Sequence, residues 1–271
     1  KNFLNTININ RDFRNMLKKQ INTSIIIQAR LGSKRLTNKV LRKIGNKSIL
    51  EFMYKRLSKS KKADNIIFAI PKNKENLTLK NFIKKKLNAN IFLGPENNVL
   101  KRYHLAAKKF KSEIIVRITS DCPFVDPAMI DSYVDILKKG KFDYVYNCNP
   151  HSFPDGLDIE VFNYKSLRYA DSKAKLTIQK EGVTRYFRDN LYKFKTKHIK
   201  CPIGDFSKFR ITLDEKDDLT LINKIYNHFS PNINFKWTDI ISLLKENRDL
   251  IKINSHIPIN EGSYMNDNYK L

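Results

Sequence analysis

The sequence predicts an α/β fold with a mainly parallel sheet and helices on both of its faces. Two observations carry this prediction. Some short segments are apolar throughout, and other segments have apolar residues at helical spacing. The two kinds of segment alternate over the first half of the chain. All-β folds and helix bundles do not produce this alternation. The pattern loosens after Asn147, so we expect a polar lead-in over 1–22 and a single domain over 23–271, in which 148–210 forms an inserted arm.

The strands are predicted first, from buried runs rich in β-branched and aromatic residues such as Ile25-Ile26-Ile27. These runs are 24–28, 66–70, 91–93, 114–118 and 144–146, and two further strands are expected around 192–199 and 209–213. Helical spacing predicts helices over 49–58, 77–87, 99–110, 127–139, 165–175, 217–228 and 237–245, with a short helix around 11–20 in the lead-in. Pro127 suits the first turn of its helix because the backbone N–H that proline lacks would have no partner within the helix at that position.

The chain has 271 residues, of which 41% are hydrophobic, and it is therefore long and apolar enough to bury a core. Lys and Arg number 52 against 27 Asp and Glu, which gives a formal net charge of +25. Such a charge suits a nucleic-acid surface. However, lysine supplies most of it, and lysine, asparagine and isoleucine are all abundant and all have AT-rich codons. We attribute most of the charge to codon bias and expect no nucleic-acid partner.

The same sequence gives no sign of a membrane or secretory destination. No apolar run approaches the ~20 residues of a membrane span, and the N-terminal segment lacks the apolar region of a signal peptide. The three cysteines, Cys122, Cys148 and Cys201, form no CxxC pair. We therefore expect a cytoplasmic protein with no membrane partner and no disulfide framework.

A basic loop follows the first strand, where residues 28–39 read QARLGSKRLTNK. In an open parallel sheet, ligands bind at the carboxyl ends of the strands. Gly32 would let backbone N–H groups approach phosphate oxygens closely. The loop matches neither the Walker A pattern nor GxGxxG. It is a candidate triphosphate site, with a basic surface turn as the alternative. Its cations are Arg30, Lys34, Arg35 and Lys39.

Acidic residues follow two of the predicted strands. Asp121 comes just after the strand at 114–118, and Asp214 follows the one at 209–213. A carboxylate at a strand end beside a phosphate loop is well placed to hold Mg²⁺, which prefers carboxylate and phosphate oxygens. The alternative is a turn or helix-cap aspartate, of which Asp126 is an example. We expect Asp214 to lie across from Asp121.

A third acidic stretch, FPDGLDIEVF at 153–162, lies between them. Asp155-Gly156 is a turn signal. Asp158 and Glu160 alternate with apolar residues, so both are expected on one side of a strand, facing either an acceptor or solvent. No histidine has the spacing of a metal ligand, and no Ser-His-Asp or Cys-His arrangement can be assembled.

Five blocks occur in a fixed order over residues 24 to about 228. They are IQARLGSKRLTNKVL at 27–41, GPENNVLKRY at 94–103, VRITSDCPFVDP at 116–127, FPDGLDIEVF at 153–162 and RITLDEKDD at 210–218. Together they resemble the cytidylyltransferases that activate acylneuraminate and KDO sugars, most closely the spore coat polysaccharide biosynthesis protein F type. The resemblance implies a three-layer α/β/α nucleotide-diphospho-sugar transferase fold, GT-A-like and Rossmann-like. It also implies Mg²⁺, a nucleoside triphosphate (usually CTP) and a homodimer formed through the arm.

The resemblance also assigns residues by position. The nucleotide-binding set is Gln28, Ala29, Arg30, Gly32, Ser33, Arg35 and Lys39, with Arg102 and Arg117 as further candidates. Asp121 and Asp214 match the metal carboxylates, and Arg30, Lys39 and Asp121 are the catalytic candidates. Asp155, Asp158 and Glu160 would line the acceptor side. Two positions depart from the family pattern: Thr37 replaces a proline, and Gly182 replaces the histidine of an Arg-Glu-His-Val-Thr element.

The implied reaction is attack of an acceptor oxygen on the α-phosphorus of the nucleotide, with pyrophosphate leaving. The acceptor is anionic: a 2-keto-3-deoxy sugar acid, a sugar phosphate or a phosphonate, activated for surface polysaccharide or glycoconjugate biosynthesis. A glycosyltransferase of the same fold is the nearest alternative, although the Asp-x-Asp motif of those enzymes is missing after the strand that ends before Asp121. An RNA-binding protein and a non-catalytic nucleotide sensor are the others.

Overall fold

A seven-stranded sheet organises the chain in this computed structural model, which describes residues 21–33 and 35–259. The strands are β1 (Thr23–Gln28), β2 (Lys43–Ile44), β3 (Lys47–Ser48), β4 (Asn65–Pro71), β5 (Asn90–Gly94), β6 (Ile114–Thr119), β7 (Tyr144–Tyr146), β8 (Glu160–Asn163) and β9 (Thr196–His198). The sheet order is β5-β4-β1-β6-β8-β7-β9, and β2 and β3 form a separate hairpin. Within the sheet, β8 runs antiparallel to both neighbours and the other pairs are parallel.

Helices cover both faces of this sheet. They are α1 (Ile49–Leu57), α2 (Leu77–Phe82), α3 (Val99–Lys109), α4 (Pro127–Gly140), α5 (Tyr164–Lys173), α6 (Thr177–Glu181), α7 (Arg185–Asp189), α8 (Lys216–Phe229), α9 (Trp237–Glu246) and α10 (Arg248–Lys252). The predicted helix over 77–87 continues past α2 as a π-helical turn, Ile83–Leu87. The lead-in helix predicted around 11–20 lies outside the described residues.

Strand β1 shows why its sequence is apolar without alternation. Ile25 and Ile27 belong to the core on one face, together with side chains of α1, α4, α8 and α9. Ile26 belongs to a second core on the other face, together with side chains of α3, α5 and α7. Because successive side chains of a strand point to opposite faces, a strand covered on both sides needs every residue apolar. The fold is therefore α/β with three layers, as the sequence predicts.

The pairing of β1 with β6 creates the edge at which the candidate site lies. Gln28 is in register with Thr119, so the loops that follow both strands leave the sheet side by side. The backbone N–H of Ser120 donates to the carbonyl of Gln28 at 3.2 Å. The basic loop and the loop that carries Asp121 are therefore neighbours.

Of the two strands predicted beyond residue 190, the one at 209–213 is wrong, and the one around 192–199 is confirmed with shorter bounds. Residues 209–213 form no strand; they make only one bridge, between Arg210 and Asp155, because Gly156, at φ +107°, turns the chain away after it. Around 192–199 only β9 is a strand, and it follows a 3-10 turn at Leu191–Lys193.

The placement of Asp158 on one strand with Glu160 is also wrong, because β8 begins at Glu160. The side chain of Asn147 takes the backbone groups that would extend the ladder: its amide donates to the carbonyl of Leu157 and accepts from the N–H of Ile159, both at 2.8 Å.

The segment 148–210 is partly integral to the sheet. It supplies β8, which lies between β6 and β7, as well as α5 and α7, whose apolar side chains join the second core. A role for this segment in dimerisation stays a prediction. Within 21–33 and 35–259, no helix is both long and apolar enough to span a membrane.

Candidate active site

Lys39 joins two loops that are far apart in the sequence. It begins a short 3-10 turn, Lys39–Leu41, and its ammonium Nζ lies 2.9 Å from Asp121 Oδ2 and 2.7 Å from Asp214 Oδ1. The ammonium is mostly buried, with 13% of the side chain exposed, whereas Asp121 is 27% and Asp214 17% exposed. One cation therefore bridges two carboxylates at the carboxyl edge of the sheet.

The backbone, independently of Lys39, holds the two carboxylates near each other. The N–H of Leu213 donates to the carbonyl of Asp121 at 2.8 Å. The hydroxyl of Thr212 donates to the same carbonyl at 3.1 Å. The segment before Asp214 is thus tied to the loop after β6.

Burial and charge act in opposite directions on these groups. Burial lowers the pKa of Lys39, but the charges of Asp121 and Asp214 and the hydrogen bonds to them outweigh it, so that the pKa of this ammonium lies above its usual value. Burial raises the pKa of Asp121, but the Lys39 charge and the Thr119 hydroxyl hold it well below its usual value. Both shifts favour the charged forms of Lys39 and Asp121, which form an ion pair.

A second cluster of charged residues, centred on the guanidinium of Arg210, also contacts Asp214. Arg210 makes a two-pronged contact with Asp218, from Nε to Oδ1 and from Nη2 to Oδ2, both at 2.8 Å. Its Nη1 lies 3.1 Å from Asp155 Oδ2, and its Nη2 lies 3.4 Å from Asp214 Oδ2. Arg210 is 4% exposed and Asp218 is fully buried. A single guanidinium thus connects a candidate metal carboxylate with the turn at Asp155.

Asp218 also organises the start of α8. Its Oδ2 accepts from the backbone N–H groups of Asp214, at 2.8 Å, and Glu215, at 2.9 Å. Asn254 donates to Asp218 Oδ1 at 2.8 Å, which brings the C-terminal part of the described chain into the cluster. Burial raises the pKa of Asp218, but the hydrogen bonds and charge of Arg210 lower it below the usual value.

The basic loop has firm supports and two exposed cations. The N–H of Leu31 donates to Asn76 Oδ1 at 3.0 Å, and a Cβ on Gly32 would come within 2.9 Å of the Glu75 carboxylate. Arg30 is exposed, and Arg35 is partly exposed with its Nη2 3.0 Å from Asp214 Oδ2. Lys34 lies outside the described residues.

The other loop residues predicted to bind nucleotide lie at the start of the same turn. Ala29 is buried, and Gly32 and Ser33 are half-buried; the hydroxyl of Ser33 accepts weakly from the N–H of Leu36 at 3.4 Å. Gln28 is half-buried, and its Oε1 is a buried atom with no hydrogen-bond partner among the described residues. Such an oxygen at the mouth of the loop is suited to accept from a ligand.

Arg102 and Arg117 are predicted nucleotide contacts, but each guanidinium has partners inside the protein. Arg102 Nη1 donates to the carbonyls of Pro95, at 2.6 Å, and Glu96, at 3.2 Å. Arg117 Nη1 forms a close ion pair with the fully buried Glu160. The structure thus uses Arg102 to hold the turn after β5 and Arg117 to pair across β6 and β8.

The candidate acceptor residues have unequal surroundings. Glu160 also accepts from the hydroxyl of Tyr144, and Asp155 is 7% exposed beside Arg210, so both carboxylates are internal. Asp158 is the most exposed of the three at 27%, and its Oδ1 lies 3.6 Å from His151 Nε2. Burial lowers the pKa of His151, but Asp158 raises it above the usual value.

Asp121 and Asp214 offer carboxylate oxygens, which are ligands that Mg²⁺ prefers. Among the residues that the structure describes, no group of three or more His, Cys, Asp or Glu side chains could hold a metal ion. Mg²⁺ is typically held by one or two carboxylates together with substrate phosphates and water. Asp121 and Asp214, which already converge on one cation, fit that smaller donor set.

Sequence reasoning missed Arg210 and His151 as members of this region. Arg210 and Asp218 stand in the fifth motif block, but their spacing gives no sign that they pair, because the contact crosses from a loop to a helix. His151 has no ligand-like spacing, and its contact with Asp158 arises from the turn at Asp155-Gly156.

A three-layer α/β fold with a mainly parallel sheet is the fold of nucleotidyltransferases. The family model described as cytidylyltransferase matches residues 24–250. The chain belongs to the cytidylyltransferase family.

Two relatives match the chain over most of their own length. An uncharacterised protein of Methanocaldococcus jannaschii is 40% identical over 86% of this chain and 94% of its own length. The spore coat polysaccharide biosynthesis protein SpsF of Bacillus subtilis is 31% identical over 83% of this chain and 94% of its own length.

Solved structures agree. A cytidylyltransferase from Leptospira borgpetersenii superposes with a TM-score of 0.80 at 33% identity, covering 85% of this chain and 97% of that one. A CMP:2-keto-3-deoxy-manno-octonic acid synthetase complexed with CTP shares the fold, with a TM-score of 0.57 at 13% identity over 76% of this chain and 99% of that one.

Proposed function

We propose that this cytidylyltransferase family member is a Mg²⁺-dependent enzyme that transfers CMP from CTP to an anionic acceptor and releases pyrophosphate. The observation that carries the proposal is the convergence of Lys39, Asp121 and Asp214 at the end of the basic loop, with Nζ–O distances of 2.9 and 2.7 Å. An acceptor oxygen forms the new bond to the α-phosphorus while the bond to the β-phosphate oxygen breaks, and pyrophosphate leaves with that oxygen.

The residues divide this work by position. Arg30, Arg35 and Lys39 hold the phosphates and offset the charge of the leaving group. Asp121 and Asp214 hold Mg²⁺, which when bound neutralises phosphate charge and orients the reacting oxygens. The backbone of 28–33 follows the ribose and phosphates, and the buried Gln28 Oε1 is free to accept from the nucleotide. Holding the reactants in line is the main source of acceleration in such chemistry.

The acceptor lies on the side of the site where Asp155, Asp158 and Glu160 are found. Asp158 has the most exposed carboxylate of this set, so it is the one that contacts the acceptor. Asp155 and Glu160 are buried and act as internal supports for this side of the site. The name of the Bacillus subtilis relative supports an acceptor used in surface polysaccharide synthesis. The acceptor is a sugar acid, a sugar phosphate or a phosphonate.

We further propose a homodimer formed through the 148–210 segment. Five of its large apolar side chains are exposed: Tyr169 at 39%, Leu176 at 59%, Leu191 at 37%, Tyr192 at 82% and Ile203 at 52%. Exposed apolar side chains concentrated in one segment are typical of an association surface.

The test is pyrophosphate release from each nucleoside triphosphate with Mg²⁺ and a panel of anionic acceptors. We expect release with CTP only, and only when an acceptor is present. Asp121→Asn should abolish it while the circular dichroism spectrum stays unchanged. Asp249→Asn, on an exposed carboxylate paired with Lys252, is the matched control and should keep full activity. Normal turnover in Asp121→Asn would contradict the metal assignment. Tight RNA binding without release from any pair would contradict the function.

A further inference from the structure

Lys39 lies where the proposed function needs a metal ion. Its ammonium contacts one oxygen of each carboxylate in the pair, Asp121 Oδ2 and Asp214 Oδ1. We propose that Lys39 is a resident counter-ion that keeps free divalent cations off this pair until a nucleotide arrives, so that Mg²⁺ enters only with the triphosphate. This inference rests on the proposed function, because the nucleotide phosphates are what draw Lys39 away.

The first argument is space. Mg²⁺ binds oxygen at about 2.0–2.1 Å. Lys39 Nζ lies 2.9 and 2.7 Å from the two oxygens that face each other across the pair. An ion that used both of these oxygens would fall almost on the ammonium nitrogen. Lys39 and a shared Mg²⁺ therefore exclude each other.

The second argument is charge. The carboxylates of Asp121 and Asp214 carry two negative charges. Lys39 supplies one positive charge, and Arg35 supplies another at 3.0 Å from Asp214 Oδ2. Arg210 reaches the same oxygen at 3.4 Å. Arg35 also lies 3.6 Å from Glu215 Oε1, and Arg210 is shared with Asp155 and Asp218. These cations offset much of the charge of the pair before any metal arrives, so a free divalent cation gains less by approaching it.

The third argument is what a triphosphate changes. Lys39 and Arg35 belong to the loop that the proposed function places on the phosphates, so a bound triphosphate competes with the carboxylates for the same cations. Once these side chains turn toward phosphate, the negative charges of the carboxylates are no longer offset and can attract a metal ion. The nucleotide and the metal thus bind as a unit, with Lys39 as the group that couples them. Lys39 can make this change because it is a flexible side chain with three rotatable donors.

The test uses Mn²⁺ alone, titrated into the nucleotide-free protein and followed by the loss of the free-ion signal in electron paramagnetic resonance. Wild type should bind Mn²⁺ weakly, and Lys39→Met should bind it at least about tenfold more tightly, because a positive charge next to the ion has been removed. Lys39→Arg keeps the charge and should stay weak. Lys39→Gln provides a second neutral variant in case the methionine variant does not fold.

Two controls locate the effect. Lys62→Met removes the same charge from a partly exposed pair with Asp135 and should bind as wild type does. Adding Asp121→Asn to Lys39→Met should abolish the gained affinity, since one of the two carboxylates is then neutral. Equal Mn²⁺ affinity in wild type and both neutral variants would overturn the inference, as would a gain that persists in the double variant.

The pyrophosphate assay separates the two proposals. If wild type releases pyrophosphate while the neutral variants show no gain in Mn²⁺ affinity, the role of Lys39 fails and the function stands. If the variants show the gain but wild type releases no pyrophosphate with any nucleotide, the proposed function fails. In that case the coupling to nucleotide fails with it.

Discussion

Replacing Arg210 with methionine tests how far the fold depends on one buried cation. The change keeps a long side chain but removes a guanidinium that contacts Asp155, Asp214 and Asp218 together. Asp218 is fully buried and Asp155 is 7% exposed, so neither carboxylate can turn to bulk water. Both would keep a charge in a poorly solvated place.

The expected cost follows from that burial. Removing one partner of a buried ion pair typically destabilises a protein by about 3–5 kcal/mol, because the remaining charge is left uncompensated. Here the remaining charge is shared by two carboxylates. Asp218 keeps its contacts with the N–H groups of Asp214 and Glu215, which limits the loss. We therefore expect a decrease in the free energy of unfolding of about 3–5 kcal/mol.

Urea unfolding followed by fluorescence and circular dichroism measures this change. The matched control is Lys55→Met, which removes a cation from a partly exposed pair with Glu51 on α1 and should cost about 0.5 kcal/mol or less. Arg210→Lys keeps the charge but loses the two-pronged contact, so it should fall between the two. A loss in Arg210→Met no larger than that in Lys55→Met would refute the reasoning.

Two further predictions concern the same region. The pKa of Asp218 in the folded protein lies below the usual 3.8, so its ionised form stabilises the fold above that pH, and this contribution disappears as the pH falls through the lower folded value. Asp218→Asn should therefore have a flatter dependence of unfolding free energy on pH below 3.8 than wild type. Urea unfolding at a series of acid pH values measures this dependence, and equal slopes in the two proteins would contradict the prediction. Gly156→Ala should destabilise the protein by about 1–3 kcal/mol, because φ there is +107° and the added Cβ would lie 2.6 Å from the backbone nitrogen of Thr212; an unchanged urea midpoint would contradict it.

The first half of the fold is predictable from sequence because its signals are local. Three consecutive isoleucines at 25–27 can be buried on both sides only inside a sheet, and the structure confirms this strand and its four predicted successors. The sequence also predicts that the basic loop and Asp121 lie close together, since both follow the carboxyl ends of parallel strands.

The second half is less predictable because long-range contacts decide it. Residues 209–213 have the composition of a strand, yet in the described part of the chain their strand pairing is limited to the bridge with Asp155. The ladder that would have included Asp158 is replaced by hydrogen bonds from the Asn147 side chain. The Arg210 cluster depends on a helix start and on Asn254, so no window of sequence contains it.

The wide spread of the site along the chain has a consequence for the synthesis of the protein. Lys39 and Asp214 are 175 positions apart, and the Arg210 cluster also needs Asn254 and the carbonyl of Pro258. During synthesis, the cations of the basic loop therefore leave the ribosome long before Asp214, and the contacts of Lys39 with both carboxylates can form only after Asp214 has followed. Premature termination before Asp214 should leave a polypeptide that has the loop cations but only one of the two carboxylates that Lys39 bridges.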